Sequence, residues 1–187
     1  MKSMRRTNIF GMKKSVLTLA TLIAFKIVIG QLVIRDNKFI SISSFNLGDS
    51  ISKFEPDLQM IKVYGNDTAR SKSYQYTAAL KKPVEVTSIT FKHVSFEFDK
   101  SNKVRWFNFN KPYYEDKEFV TNSRQDYNNL ISYVNAAVGM EGEKKVFYPH
   151  VHEGRQWAIG DTIILVDLQE TAIASSTSVG ITVFPQK

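Results

Sequence analysis

The chain of 187 residues contains no cysteine. That absence excludes a disulfide framework, thiolate metal ligands, a cysteine nucleophile and the lipid-anchoring cysteine of a bacterial lipoprotein. Histidine is scarce, with only His93, His150 and His152, and these lack a partner pattern that would build a hydrolytic triad. No serine lies in a G-x-S-x-G elbow. Neither G-x-x-x-x-G-K-[ST] nor G-x-G-x-x-G occurs, so nucleotide binding has no support and no cofactor is expected. Acidic residues are missing altogether from positions 1 to 30.

That last gap decides how the formal net charge of +7 is read. Lys2, Arg5, Arg6, Lys13, Lys14 and Lys26 all fall within those positions; setting these six aside from the 25 basic residues leaves 19 against 18 acidic ones. The remaining chain is nearly neutral, with dispersed charges and no electrostatic footprint for a phosphate backbone, which excludes nucleic acid as a partner.

The same positions have the three parts of a secretory leader. Lys13 and Lys14 supply the positive start, Ser15 to Phe25 gives 11 uncharged residues, and Val28-Ile29-Gly30 offers a cleavage site that leaves Gln31 at the new N-terminus. Met12 is an alternative start, since residues 1–11 add nothing such a leader requires. A retained transmembrane helix is the rival: a span needs roughly 20 apolar residues, and Ser15 to Ile34 reaches that length only by including Lys26, Gly30 and Gln31. The expectation is therefore a cleavable signal peptide over 1–30 and a single domain over 31–187, periplasmic or secreted, with no stable membrane insertion after cleavage. An exported domain without disulfides fits a bacterial envelope.

Periodicity along 31–187 predicts an α+β fold, an antiparallel sheet with two helices packed on it. Leu32 to Ser44 alternates as an opening strand. Gly48 turns the chain, Asp49 or Ser50 is placed as an N-cap, and Ile51 and Phe54 share a face of a helix over 48–55 that Pro56 stops. Ser73 to Leu80 reads as a short strand. In the strand-rich stretch from Val84 to Phe109, Ile89 and Phe91 have one parity and Val94, Phe96 and Phe98 the other, which implies a bulge or bend near Lys92-His93. Asp99 to Lys103 makes a hairpin tip, with Val104 to Phe109 returning. A second helix over 124–138 has Ser123 and Asp126 as a capping box, an apolar stripe of Tyr127, Leu130, Ile131, Val134 and Val138, and Gly139 as its C-terminal cap. Strands return from Lys145 onward, with a turn at Gly160-Asp161. Helix then strands, twice, suggests two degenerate repeats. The expected core includes Phe54, Phe96, Phe98, Trp106, Leu130, Ile131, Val134, Ile164, Val166 and Ile181.

The stretch LGDSISKF at 47–54, ahead of a strand-rich segment, resembles the opening of small bacterial envelope proteins with helix-plus-sheet repeats. The outer-membrane assembly lipoprotein family called BamE/SmpA and the β-lactamase-inhibitor-protein-like fold are the examples. The likeness covers that motif and the order of elements; the missing cysteine departs from the lipoprotein pattern. The resemblance implies a binding or assembly role without catalysis, and it carries no site residue over.

For chemistry, His150 and His152 are two apart, so on a strand both side chains point to one face, and His93 or a carboxylate would have to complete a metal site. A metal-dependent or other hydrolase centred on His150 and His152 is the alternative function. The acidic run Tyr113 to Glu118 is read as solvated charge. Trp106 and Trp157 are candidates to line a carbohydrate or peptide groove, but Trp106 alternates with Val104 on the hairpin and is expected in the core. The leading expectation is an exported, non-catalytic protein that binds another envelope protein or peptide through its sheet, with no catalytic, cofactor-binding or metal residue assigned.

Overall fold

The computed structural model describes residues 31–186 except 65–70, 115–118, 146–150 and 172–175. The fold is α+β and dominated by antiparallel sheet. Strands β1 (Leu32–Arg35) and β2 (Lys38–Ile42) form a small hairpin. A 3-10 turn at Ile51–Lys53 follows, then β3 (Leu58–Tyr64), β4 (Ser71–Tyr76) and a one-turn helix α1 (Ala78–Lys81). Strands β5 (Val84–Val86) and β6 (Ile89–Phe91) pair with each other. The chain continues through β7 (His93–Phe98), β8 (Val104–Tyr114) and the long helix α2 (Phe119–Val138). It ends with β9 (Glu143–Lys145), β10 (Val151–Ile159), β11 (Thr162–Thr171) and β12 (Ser176–Pro185). Eight strands make one sheet in the order β3-β4-β7-β8-β12-β11-β10-β9, every neighbouring pair antiparallel.

Several local expectations are corrected by backbone hydrogen bonding. The opening strand is a hairpin, because Asp36 and Asn37 both take positive φ, 50° and 56°, and form a two-residue turn matched to strand twist. The helix over 48–55 shrinks to one 3-10 turn. Its backbone groups pair with the β7–β8 hairpin: Gly48 N donates to Val104 O (2.7 Å), Val104 N to Asp49 O (2.8 Å) and Ile51 N to Asn102 O (2.9 Å). Those amides and carbonyls are therefore unavailable to a helical ladder. Neither Asp49 nor Ser50 caps it; the Asp49 carboxylate instead holds Lys53 Nζ at 2.6 Å.

The parity change near Lys92 marks a change of sheet. β6 belongs to the small β5–β6 hairpin, and β7 enters the large sheet after Lys92. The bulge lies one strand later. Phe96 faces Phe107 and Glu97 faces Trp106, but Phe98 faces Val104, so Arg105 is the extra residue. The expected strand over Ser73–Leu80 ends at Tyr76 and gives way to α1.

The long helix begins at Phe119, five residues before the expected start, so Ser123 is interior and not a cap. Its hydroxyl donates to Val120 O at 3.0 Å. Asp126 reaches out of the helix to β8, where Lys111 Nζ lies at 2.6 Å and the Tyr113 hydroxyl donates to the same carboxylate. The apolar stripe is as expected: Tyr127, Leu130 and Val134 are buried, Ile131 and Val138 partly so. Gly139, at φ 78°, ends the helix and donates to Asn135 O.

The stripe of α2 packs on the sheet face that carries Phe107, Phe109, Ile164, Val166, Val179, Ile181 and Val183, all completely buried. Phe54, from the 3-10 turn, joins this core against Phe96, with ring centroids 4.4 Å apart. Phe98, Leu130 and Val134 are buried as expected. Among the expected core residues, Ile131 packs against the core only partly buried, and Trp106 lies outside it. The tryptophan remains partly exposed, because the extra residue at Arg105 lets both Val104 and Phe107 point inward and turns Trp106 outward.

Candidate functional site: the open face of the sheet

Alternation along the strands puts a second set of side chains on the face opposite the core. Solvent reaches Trp106, Asn108, Asn110, Ile163, Leu165, Ser178 and Phe184 on that face. At one end, the bulge at Arg105 shapes a hollow of about 380 Å³ lined by Glu97, Arg105, Trp106, Phe184 and Pro185. Arg105 spans its rim to Glu97 at 3.2 Å. An aromatic floor beside an ion pair suits an occupant with one apolar surface and a polar edge.

The centre of the open face is polar. Asn108 Nδ2 donates to Thr182 Oγ1 at 2.8 Å, and Asn110 Nδ2 to Ser178 Oγ at 3.4 Å. Beside them lies Asp167, only 4% exposed. Gln169 Nε2 donates to its Oδ2 at 2.5 Å, whereas its Oδ1 is buried and has no hydrogen-bond partner among the described residues. Burial raises its pKa above the ordinary carboxyl value, and the hydrogen bond from Gln169 opposes that rise. Strand positions opposite Asp167 are glycine on both sides, Gly180 on β12 and Gly154 on β10. The sequence offered a trace of this site in V-D-L, an acid in the middle of an apolar strand, but the glycines that flank it are distant in the chain.

A second cleft, about 390 Å³, lies at the other side of the sheet between α2 and the β9–β10 edge, and includes Tyr127, Lys144, Glu153 and Arg155 in its lining. Its charges are largely engaged: Arg124 Nη1 meets Glu153 at 2.8 Å and Arg155 Nη1 donates to Gly142 O at 2.8 Å. Burial first, and then the charge of Glu153, push the Tyr127 phenol up to about 12.

His93 and His152 do not come together as one candidate. His150 lies outside the described residues, as do the expected leader at 1–30 and the acidic residues Glu115, Asp116 and Glu118. His93 and His152 stand on β7 and β10, four strand spacings apart in the sheet order, or about 19 Å at the ordinary spacing. His93 therefore cannot complete a site with His152. Glu153 is held by Arg124. Among the described residues, no group of three His, Cys, Asp or Glu side chains is placed to hold a metal.

The two tryptophans part company. Trp157 is 1% exposed, and its Nε1 donates to Asn135 Oδ1 (3.1 Å) and Met140 O (3.3 Å), which secures the C-terminal end of α2. Asn135, on the helix α2, serves that core contact. Only Trp106 faces outward. Among the described residues, no helix is long and apolar enough to cross a membrane. In comparisons with protein-family models, curated proteins and solved structures, the chain finds no match.

Proposed function

We propose that this is an exported, non-catalytic protein of the bacterial envelope that binds another protein or peptide through the open face of its sheet. The observation that carries this reading is Trp106. A bulge turns a large aromatic side chain away from the core it would otherwise join, onto a face with its own hollow. Bulges re-aim side chains in this way beside functional sites, and Trp is among the side chains enriched at binding hot spots.

The order of elements supports two degenerate repeats. A helical element precedes β3, β4, β7 and β8, and another precedes β9 to β12; the fourth main-sheet strands of the halves, β8 and β12, pair at the centre. The resemblance of LGDSISKF to small envelope proteins with helix-plus-sheet repeats points the same way, toward a binding role.

A photo-crosslinking residue placed at Trp106 tests the reading. In the envelope of a producing bacterium it yields a discrete crosslinked species, which the same group at the exposed Leu80 does not yield. Absence of any species specific to position 106 overturns the proposed face. Intact mass of the same preparation tests export, for which a chain beginning at or near Gln31 in a soluble fraction is expected. A full-length cytosolic species refutes it.

A further inference from the structure

We infer that the centre of the open face grips a cationic side chain, an arginine or lysine of the bound protein or peptide, which donates to the free Oδ1 of Asp167. This rests on the open face being the binding surface and adds the chemistry of the group it receives.

A carboxyl buried without a cation is costly, and the cost is relieved either by a proton or by a cation from outside. Among the described residues no cation is placed to do it. On the row of the sheet that contains Asp167, the next basic residue is Lys145, beyond Gly154, and its Nζ is bound to Glu143 at 2.7 Å. Of the neighbouring groups on β10, Arg155 is turned to the opposite face and donates to Gly142 O, and Glu153 is paired with Arg124. Tyr127, below the sheet on α2, keeps its proton to about 12. The side chains around Asp167 on its own face, Asn108, Asn110, Gln169 and Ser178, carry no charge.

The approach to the carboxyl is built from parts that can yield. Glycine on either side leaves no side chain across the neighbouring strands. The Asn108 amide stands over Gly180, where a Cβ would lie 3.3 Å from its Nδ2 and 2.7 Å from Asp167 Oδ1. Asn108 is partly exposed and held by the single bond to Thr182. Rotated aside, it opens Oδ1 and offers its own carbonyl as a second acceptor. Ser178 Oγ and the carbonyl of Asn110 add further acceptors nearby. A guanidinium, planar and with five donors, suits such a ring of acceptors better than an ammonium.

A short peptide pair decides the matter: acetyl-Gly-Arg-Gly-amide and its neutral counterpart with citrulline, titrated into the isotopically labelled full chain and followed by amide NMR. At neutral pH the arginine peptide should shift the resonances of Asp167, Gly180 and Gly154, binding about tenfold more tightly than citrulline. Asp167→Asn should remove that difference, and acidification that protonates Asp167 should weaken arginine binding in the wild type alone. Equal response to citrulline, which would signal a neutral ligand, overturns the inference; so does an unaffected Asp167→Asn variant or the absence of any shift. Crosslinking at Trp106 reads the binding face independently, so a positive crosslink with a failed arginine titration refutes this inference alone.

Discussion

Asp167 lies opposite Gly180 across the β11–β12 pair, its carboxyl leaning so far over the glycine that a Cβ there would sit 2.7 Å from Oδ1. A carboxyl in that posture tolerates no methyl beneath it. Gly180→Ala should therefore cost about 1–3 kcal/mol in chemical denaturation, the usual price of overpacking. In an Asp167→Ala background the same methyl should cost markedly less, so the double-mutant cycle is non-additive. Equal cost in both backgrounds would show that Asp167 does not occupy the space above Gly180.

The same burial makes Asp167 a liability to the free protein at neutral pH. Burial raises its pKa in the folded state above the ordinary value of 3.8, so the folded chain binds more protons than the unfolded one just above that value. Stability from this group is then fully present below the ordinary carboxyl range and falls as pH rises through the folded pKa. Asp167→Asn removes the falling step while keeping an oxygen for Gln169. The variant should be more stable than wild type at neutral pH, by about 1–3 kcal/mol, with the advantage shrinking in acid. Urea midpoints across the acid range check this, and an advantage that does not change with pH would refute the assignment.

What could be read from the residues alone follows the reach of local rules. The stripe from Tyr127 to Val138 and its Gly139 cap were legible because helix periodicity and capping need only neighbours in sequence. Turn chemistry likewise placed the hairpin at Gly160-Asp161. The segment at 48–55 reads as a longer helix because its competitor, pairing with Asn102 to Val104, is a contact made some fifty residues away. Parity with Val104 points Trp106 into the core, and one extra residue at Arg105 turns it outward. The Asp167 site was illegible for the same reason on a larger scale: its glycine neighbours come from two other strands.

Asp126 ties the helix to the sheet. Lys111 Nζ at 2.6 Å and the Tyr113 hydroxyl share its carboxylate, and burial followed by that hydrogen bond holds the Tyr113 phenol far above its usual range. Tyr113→Phe removes one donor and leaves the ion pair, so a loss of about 1 kcal/mol is expected. Asp126→Ala strands the phenol and the ammonium together and should cost about 2 kcal/mol. Urea denaturation of the two variants ranks them, and a larger loss for Tyr113→Phe would reverse the roles given to them.

Neighbouring aromatic residues on β8 provide the sharpest contrast. Phe107 is completely buried against Phe96 and Phe109, whereas Trp106 looks out over the hollow beside Phe184. Truncating a fully packed aromatic leaves a cavity, so Phe107→Ala should cost about 3–5 kcal/mol. Trp106→Ala removes only a partly exposed ring outside the core and should cost less than about 1 kcal/mol. Fluorescence separates the two tryptophans at the same time. With Trp106 removed, the emission of Trp157 should be blue-shifted and shielded from iodide, since that ring is 1% exposed and enclosed by α2. With Trp157→Phe, the remaining Trp106 should emit further to the red and be quenched readily. Should Trp106→Ala destabilise the fold as much as Phe107→Ala, the side chain belongs to the core after all, and both the bulge geometry and the binding face built on it would be wrong.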